Sequence, residues 1–304
     1  MRDIRNIGGM AGGRNWIVIG TLILAICVLG CLAPAGDQAE EGKIGVIVSI
    51  LPQVDFVEQI GGEHVAVTVM VPPGASPHTY EPTAGQLREV SKAQMYAKVG
   101  SGVEFELAWF DKIRAVNRNM LIVDCSKGIE LIHGADEHDH GGADPHIWTS
   151  PRNARIMVEN ICAGLIEIDP EHEAEYIANR DRYLQELDAL DVYIHERLDP
   201  YTKKRVFLIY HPSFGYFAAE YNLTQIAIEQ EGKVPSPKVI QDCIDYARQY
   251  NLSYVYVAPQ FATQNAEMVA HEIGGRTVFI DPLPLDYSAT MRSVAASLAL
   301  EMEY

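Results

Sequence analysis

The feature that most constrains the fold is an alternation of short Val- and Ile-rich runs with segments of helical character, which occurs twice along the chain. This alternation predicts βαβ units, in which parallel strands are buried between helices. The predicted strands are 44–49, 65–71, 95–99 and 120–124 in the first half, and 206–210, 225–228, 254–258 and 277–280 in the second. We therefore predict an α/β protein with two Rossmann-like lobes, each with a roughly four-stranded parallel sheet.

A long helical region separates the two halves. Ser150-Pro151 is typical of a helix start, because Ser caps the first turn and Pro fits within it. Pro170 interrupts the pattern, and from 171 to 198 apolar residues recur along one face. At 1.5 Å per residue this segment would extend roughly 42 Å. We predict that it is a long rigid helix joining the lobes, with limited hinge motion.

The first 30 residues are typical of a secretory signal. Three arginines precede an uncharged apolar run that ends Val28-Leu29-Gly30-Cys31. A small residue before Cys resembles a lipoprotein cleavage site, at which Cys31 would be lipidated and become the mature N-terminus. The alternative is an uncleaved membrane helix, and both interpretations place the protein outside the cytoplasmic membrane. The predicted division is signal 1–30, flexible tether 31–42, N-terminal lobe 43–150, helical region 151–200 and C-terminal lobe 201–304.

The charge argues against nucleic-acid binding, and the cysteine content argues against a disulfide framework or a thiolate zinc site. The formal net charge is −17, so no basic surplus exists to neutralise the phosphates of a nucleic acid. Cys27 and Cys31 belong to the signal, and the remaining Cys125, Cys162 and Cys243 are odd in number and lack C-x-x-C spacing. This is neither a disulfide framework nor a thiolate zinc site, and we expect isolated buried thiols.

Three histidines and one aspartate stand at loop positions that favour a shared ligand site. His78, His211 and Asp281 each come where a predicted strand passes into a loop, and His146 comes just before the helix start at Pro151. The carboxyl edge of an open α/β sheet is where ligands bind. A proline adjoins each of the four residues and stiffens its loop, although proline alone also marks ordinary turns.

The remaining histidines of the strands and helices carry no such pattern. His64, His172 and His195 lack partner motifs and are interpreted as surface or hydrogen-bonded side chains. His271-Glu272 begins an H-E-x-x-H pattern, but Gly275 occupies the second histidine position, so that zinc motif is absent.

Around these four residues the chain resembles the metal-binding solute receptors of ABC importers, the zinc and manganese branch called cluster A-I. The resemblance covers nearly the whole mature chain. It is carried most specifically by two strings, Pro77-His78-Thr79-Tyr80-Glu81-Pro82 and Asp144-Pro145-His146-Ile147-Trp148. Further matches are Ser49-Ile50-Leu51-Pro52, Ile60-Gly61-Gly62-Glu63, Pro72-Pro73-Gly74, His211 with Phe214-Gly215-Tyr216, Pro259-Gln260, and Asp281-Pro282-Leu283.

The resemblance implies a receptor that captures a metal ion in the cleft between two lobes. Its ligands would be His78, His146, His211 and Asp281, with Glu81 orienting a ligand or contacting the metal in place of Asp281. Manganese-type members usually have Glu where His211 stands. Three imidazoles and one carboxylate suit Zn²⁺, whereas Mn²⁺ favours more oxygen ligands; a manganese or iron receptor is the alternative.

The implied partners are a membrane permease and its ATPase. The protein is expected to be a monomer, lipid-anchored at the extracytoplasmic face of the cytoplasmic membrane. Zinc members often carry a His-rich acidic loop before the second ligand. The corresponding segment here is short, with His133, His138 and His140, and both metal contact and an ordinary solvated loop are consistent with it.

Two other functions compete with transport. Three histidines plus a water also form a catalytic zinc arrangement, as in a hydrolase. The sequence shows no sign of a general base with a substrate pocket, of a nucleophile elbow or of a phosphate-binding Gly loop. We therefore predict that the protein is not an enzyme. Cell adhesion, a role ascribed to some relatives, is treated as secondary to transport.

Overall fold

The first parallel sheet precedes the long helical region. The computed structural model describes residues 42–133, 142–229 and 234–303. The strands of this sheet are β1 (Ile44–Val48), β2 (Val65–Val69), β3 (Met95–Lys98) and β4 (Leu121–Asp124). Their order is β2-β1-β3-β4, and all neighbours are parallel. The helices that connect them are α1 (Leu51–Gly61), α2 (Ala84–Lys92) and α3 (Glu104–Val116).

The second sheet has the same topology. Its strands are β5 (Val206–Ile209), β6 (Thr224–Ala227), β7 (Tyr254–Val257) and β8 (Arg276–Phe279), in the order β6-β5-β7-β8. Its helices are α6 (Gly215–Glu220), α7 (Pro237–Gln249), α8 (Gln264–Glu272) and α9 (Tyr287–Glu303). The predicted fold class, α/β with two four-stranded parallel sheets, is confirmed.

The region between the sheets forms two helices, α4 (Pro151–Ile168) and α5 (Glu173–Leu198). Ser150 caps α4, since its Oγ accepts a hydrogen bond from Asn153 N at 3.0 Å. Pro170 opens a short 3₁₀ turn between the two helices. The long helix therefore begins at Glu173, two residues after the predicted position.

The buried face of α5 is the one that the sequence periodicity predicts. Its buried residues are Tyr176, Tyr183, Leu187, Leu190, Ile194 and Leu198. Along this face α5 packs on α1, α4 and α9. The helix thus lies against elements that belong to both halves of the chain.

One apolar core extends from the first sheet through α4, α5 and α9 to one face of the second sheet. A separate, smaller core lies between the other face of the second sheet and helices α7 and α8. Residues 40–304 accordingly form one compact unit. Cys125, Cys162 and Cys243 are buried free thiols, as predicted.

Each sheet has a point where the chain connections change direction, between β1 and β3 in the first and between β5 and β7 in the second. Loops that leave the carboxyl ends of the strands beside such a point form a crevice, which is the usual ligand site of an open α/β sheet. The loops after β2, β5, β7 and β8 carry His78, His211, Gln260 and Asp281, respectively.

Candidate metal centre

Three imidazole rings meet between the two sheets. His78 lies in the loop after β2, His211 lies two residues after β5, and His146 lies just before the 3₁₀ turn Ile147–Thr149 that leads into α4. The Nε2 atoms of His78 and His211 are 3.2 Å apart, and those of His211 and His146 are 3.3 Å apart. Among the described residues these three form the one group with potential ligand atoms all within 4.8 Å of one another.

Each ring binds a carboxylate through its other nitrogen. His78 Nδ1 lies 2.8 Å from Glu104 Oε1, and His146 Nδ1 lies 2.8 Å from Asp144 Oδ1. The third ring follows the same pattern, with Glu229 Oε2 3.1 Å from His211 Nδ1. An ionised carboxylate can only accept, so each Nδ1 is the donor and each Nε2 of a neutral ring carries a lone pair.

This arrangement fits a cation. The lone pair of His211 Nε2 lies 3.2 Å from that of His78 and 3.3 Å from that of His146, so the lone pairs repel, and a divalent ion bound among the three nitrogens would replace that repulsion with coordination. Carboxylates on the outer nitrogens orient the rings and raise their basicity, as is usual for metal-ligating histidines. The centre is therefore chemically suited to an ion that prefers nitrogen ligands.

The segment 144–148 is fixed by contacts from both sides. Ser101 Oγ, in the loop after β3, donates to Pro145 O at 2.5 Å. From the other side, Tyr216 OH donates to Asp144 O at 2.9 Å, and Trp148 Nε1 donates to Pro282 O at 2.6 Å. His146 is thereby positioned by both halves of the chain.

Local sequence explains two close approaches in this segment. Asp144 Oδ1 accepts from the backbone N of His146 at 2.9 Å as well as from its ring, so one side chain forms the turn and orients the ligand. Gly215 lies against the same aspartate, and a Cβ there would collide with Asp144 Oδ2. Any larger residue at 215 would displace the carboxylate that holds His146.

Burial differs sharply among the three rings. His211 is 5% exposed and stacks on Phe261 with ring centroids 4.4 Å apart. This burial lowers the pKa of His211, although Glu229 opposes the shift. The hydrogen bond that His78 Nδ1 donates to Glu104 raises the pKa of this more exposed histidine. The buried ring is thus kept neutral and ready to bind metal, whereas His78 takes up a proton more readily.

The space beside the rings is small. A cavity of about 20 Å³ adjoins the three histidines and is otherwise lined by Pro77, Val103, Glu104, Pro145, Trp148, Gln260, Phe261, Pro282 and Leu283. A volume of this size holds about one water molecule. It is too small to enclose an organic substrate.

Asp281, the predicted fourth ligand, follows β8 but is not in the group of converging ligand atoms. Its Oδ1 accepts hydrogen bonds from Gln260 Nε2 and from Leu283 N, both at 2.9 Å. The structure therefore brings three of the four predicted ligands together. The fourth, Asp281, is instead hydrogen-bonded to Gln260 and to the backbone of Leu283.

Glu81 is exposed and does not line the cavity. The carboxylate on His78 is Glu104 instead, in the first turn of α3. Sequence reasoning missed both Glu104 and Glu229. Each stands shortly after a strand, β3 or β6, and an acidic residue at the carboxyl edge is the signal that could have identified them.

Of the three loop histidines, only His133 is within the described residues. It is exposed and its backbone forms an isolated antiparallel bridge with Ala143. His138 and His140 lie outside the described residues, as do the signal segment, the tether through residue 41 and Cys31. None of the described helices combines the length and apolar character that a membrane span requires.

The two similar sheets and the imidazole triad between them define a two-lobed metal-binding protein. A family model described as ZnuA, the periplasmic component A of a zinc-uptake complex, matches residues 46–300. The chain belongs to this family, which confirms the resemblance inferred from its sequence strings.

Individual relatives agree with this assignment. The high-affinity zinc uptake system protein ZnuA of Bacillus subtilis (strain 168) is 28% identical over 283 residues, covering 87% of this chain and 88% of that protein. The zinc-binding lipoprotein AdcA of Streptococcus pneumoniae serotype 4 is 26% identical over 279 residues, and the match spans only 55% of its length. The manganese-binding lipoprotein MntA of Halalkalibacterium halodurans is 29% identical over 243 residues, 78% of each chain.

A solved structure supports the fold directly. A crystal structure of ZnuA superposes with a TM-score of 0.81 at 39% identity, and the match covers 85% of this chain and 99% of that one. The two-lobed architecture predicted from the sequence is therefore shared with a ZnuA protein.

Proposed function

We propose that this protein is the extracytoplasmic receptor of a metal ABC importer, which binds Zn²⁺ through His78, His146 and His211 and delivers it to a permease driven by an ATPase. The observation that carries the proposal is the convergence of three Nε2 atoms, each on a ring whose Nδ1 faces a carboxylate. Membership of the zinc-uptake family supports the same function.

Zinc is favoured over manganese and iron by the donor set. Imidazole nitrogen is a preferred ligand of Zn²⁺, whereas Mn²⁺ is suited by carboxylate, carbonyl and water oxygens. The position that would carry Glu in a manganese-type receptor is His211, whose ring is buried and faces the other two. The similarity to a manganese-binding lipoprotein keeps manganese as the second candidate.

Transport is favoured over hydrolysis by the size of the site. A zinc hydrolase needs an open coordination position next to space for a substrate. The cavity beside the histidines has about 20 Å³, enough for one water. We therefore propose that the protein is not an enzyme, and the zinc-loaded protein should not hydrolyse activated esters faster than free zinc does.

The membrane attachment is proposed from the sequence alone. Cys31 would carry the lipid anchor, and the relatives that are named lipoproteins support an extracytoplasmic location. A monomeric state and a metal-collecting role for the segment with His133, His138 and His140 remain predictions, as do the domain limits given above.

The test is a competition titration on chelator-stripped protein. Zn²⁺ and Mn²⁺ are titrated against a chromophoric chelator with the unaltered chain, with His211→Ala, and with His271→Ala as the matched control. The side chain of His271 is 89% exposed and neither lines the cavity nor belongs to the histidine group. We expect tight zinc binding, weaker manganese binding, and loss of zinc only in His211→Ala. Tighter binding of manganese, or equal zinc affinity in all three proteins, would contradict the proposal.

A further inference from the structure

Two exposed leucines stand close to the metal cavity, one in each half of the chain. Leu107 lies on α3 three residues after Glu104, which lines the cavity. Leu285 lies two residues after Leu283, which also lines the cavity, in the loop that leads from β8 into α9. Each half of the chain therefore presents a large apolar side chain beside the place where the ion would be held.

Both leucines are highly exposed. Leu107 is 75% exposed and Leu285 is 57% exposed, and neither belongs to the apolar core or packs against it. Burial of a leucine side chain is favourable, so each would gain free energy from a partner that covers it. Single exposed apolar residues are ordinary on protein surfaces. The argument therefore depends on the position of this pair and on the charges around it.

Carboxylates adjoin both leucines. On α3, Glu104 comes three residues before Leu107 and Asp111 comes four residues after it, so these side chains lie on one face of the helix. Both carboxylates are exposed. Leu285 is followed by the exposed Asp286, whose side chain caps the first turn of α9 and is fixed by that bond. Each apolar side chain thus has negative charge beside it.

A nearby cation does not cancel this charge. Lys98 lines the same surface depression as Leu107 and Asp111. Its Nζ lies 2.6 Å from Asp124 Oδ2, so its charge is already paired. The surface around Leu107 therefore remains acidic.

The carboxylates argue against two of the surfaces that could cover the leucines. A lipid surface with anionic headgroups has a negative potential and repels them. A second copy of this chain would bring like charges together, and the formal net charge of −17 adds to that repulsion. A protein that offers an apolar socket with a basic side chain next to it fits both the leucines and their neighbours.

We propose that Leu107 and Leu285 are the anchors by which the two halves of the chain dock on the extracytoplasmic face of the permease, each in an apolar socket beside a basic side chain. The inference rests on the proposed function, because the cavity next to both leucines is where the cargo would be handed over. An apolar anchor in a pocket provides affinity, whereas complementary charge guides the encounter.

Uptake of radioactive zinc by the source cells tests the inference. The chromosomal gene is replaced by genes for Leu107→Ser, Leu285→Ser and the double variant. Val192→Ser and Leu300→Ser are the matched controls, because both remove exposed apolar side chains, on α5 and α9, that neither line the cavity nor adjoin a residue that does. Immunoblots measure the amount of each protein, and competition titration of the purified proteins measures zinc affinity.

We expect zinc affinity to stay within about twofold in all of these variants, the usual range for surface substitutions. Each single leucine variant should lower the initial rate of uptake by about tenfold while docking is unsaturated, since one buried leucine is lost from the interface. The double variant should fall to the rate of cells that lack the gene, and both controls should keep the unaltered rate. Asp111→Lys should lower the rate more than Asp111→Asn, because lysine repels a basic side chain.

A photo-cross-linking residue at position 285 identifies what covers this surface in living cells. For Leu285→p-benzoylphenylalanine we expect a covalent product with the permease, identified by mass spectrometry. A product between two copies of this chain, or one with lipid, would overturn the inference.

Two outcomes of the uptake experiment also contradict it. One is a double variant that takes up zinc at the unaltered rate, and the other is an equal loss of rate in Val192→Ser or Leu300→Ser. Failure of the proposed function is distinct from these results. It appears as normal zinc uptake in cells that lack the gene, or as absence of zinc binding by the unaltered protein.

Discussion

The metal centre has two unlike sides. The inner pair, His211 and Glu229, has side chains only 6% and 7% exposed, whereas the outer pair, His78 and Glu104, has side chains 23% and 46% exposed. Both pairs use the same contact, a carboxylate on Nδ1. The difference shows that one half of the site is preorganised in the protein interior, while the other half is in contact with solvent.

The largest effect is expected from the inner ligand. His211→Ala should weaken zinc binding by well over about 100-fold, because losing a ligand costs more than losing the hydrogen-bond partner of a ligand, for which 10–100-fold is typical. Competition titration measures the change, and His78→Ala is the comparison. A weaker effect of His211→Ala than of His78→Ala would reverse the assignment of inner and outer sides.

The carboxylates should differ in the same direction. Glu229→Gln is expected to weaken zinc binding by about 10–100-fold, since Glu229 accepts from His211 Nδ1 in the protein interior, where bulk water cannot take its place. Glu104→Gln is expected to cost less, on the order of threefold, because water can replace a half-exposed carboxylate. Equal losses in the two variants, measured by the same titration, would show that exposure does not govern these contacts.

Acidification should act first on the outer pair. Glu104 raises the pKa of His78, so its ring takes up a proton at a higher pH than an ordinary histidine, and burial lowers the pKa of His211, so its ring stays neutral to a lower pH. Protons compete with metal for the ring nitrogens. Zinc affinity should therefore fall as pH falls through the pKa of His78, before His211 titrates.

Nitrogen-15 NMR of the metal-free protein measures the order of these two titrations directly. Glu104→Gln removes the group that raises the pKa of His78 and should move its midpoint to lower pH. A midpoint of His211 above that of His78 would be inconsistent with the burial of the inner ring.

The smallest effect is expected from Glu81, the acidic residue that the sequence placed next to His78. It is exposed and does not line the cavity, so Glu81→Gln should leave zinc affinity unchanged within about twofold, the usual range for a surface substitution. A loss comparable to that of Glu104→Gln would return Glu81 to the site.

Local sequence patterns predicted most of the fold. Parallel strands buried on both faces have continuous Val- and Ile-rich runs, so all eight predicted strands correspond to strands of the two sheets. The six buried residues of α5 follow from their spacing alone. The start of this helix was misplaced by two residues, because Pro170 opens a separate 3₁₀ turn that periodicity does not distinguish from helix.

The site was predicted less completely. The three histidines stand in specific strings, and the structure brings them together. Glu104 and Glu229, the carboxylate partners of His78 and His211, were not predicted, because they lie 26 and 18 residues from the rings they contact. The sequence string and the position after β8 predict Asp281 as a ligand. Its hydrogen bonds to Gln260 and Leu283 could not be predicted in the same way, because they depend on the tertiary structure.

The bonds that fix the segment 144–148 from both sides bear on how cargo leaves. Tyr287 OH adds to them, donating to Trp148 O at 2.8 Å. Each bond contributes about 1 kcal/mol, and swinging the two sheets apart around His146 would break several at once. Spontaneous separation of the two lobes in free solution should therefore be rare. Release of the metal should depend on a docked transporter that breaks the hydrogen bonds to the segment 144–148, so that the membrane complex controls unloading.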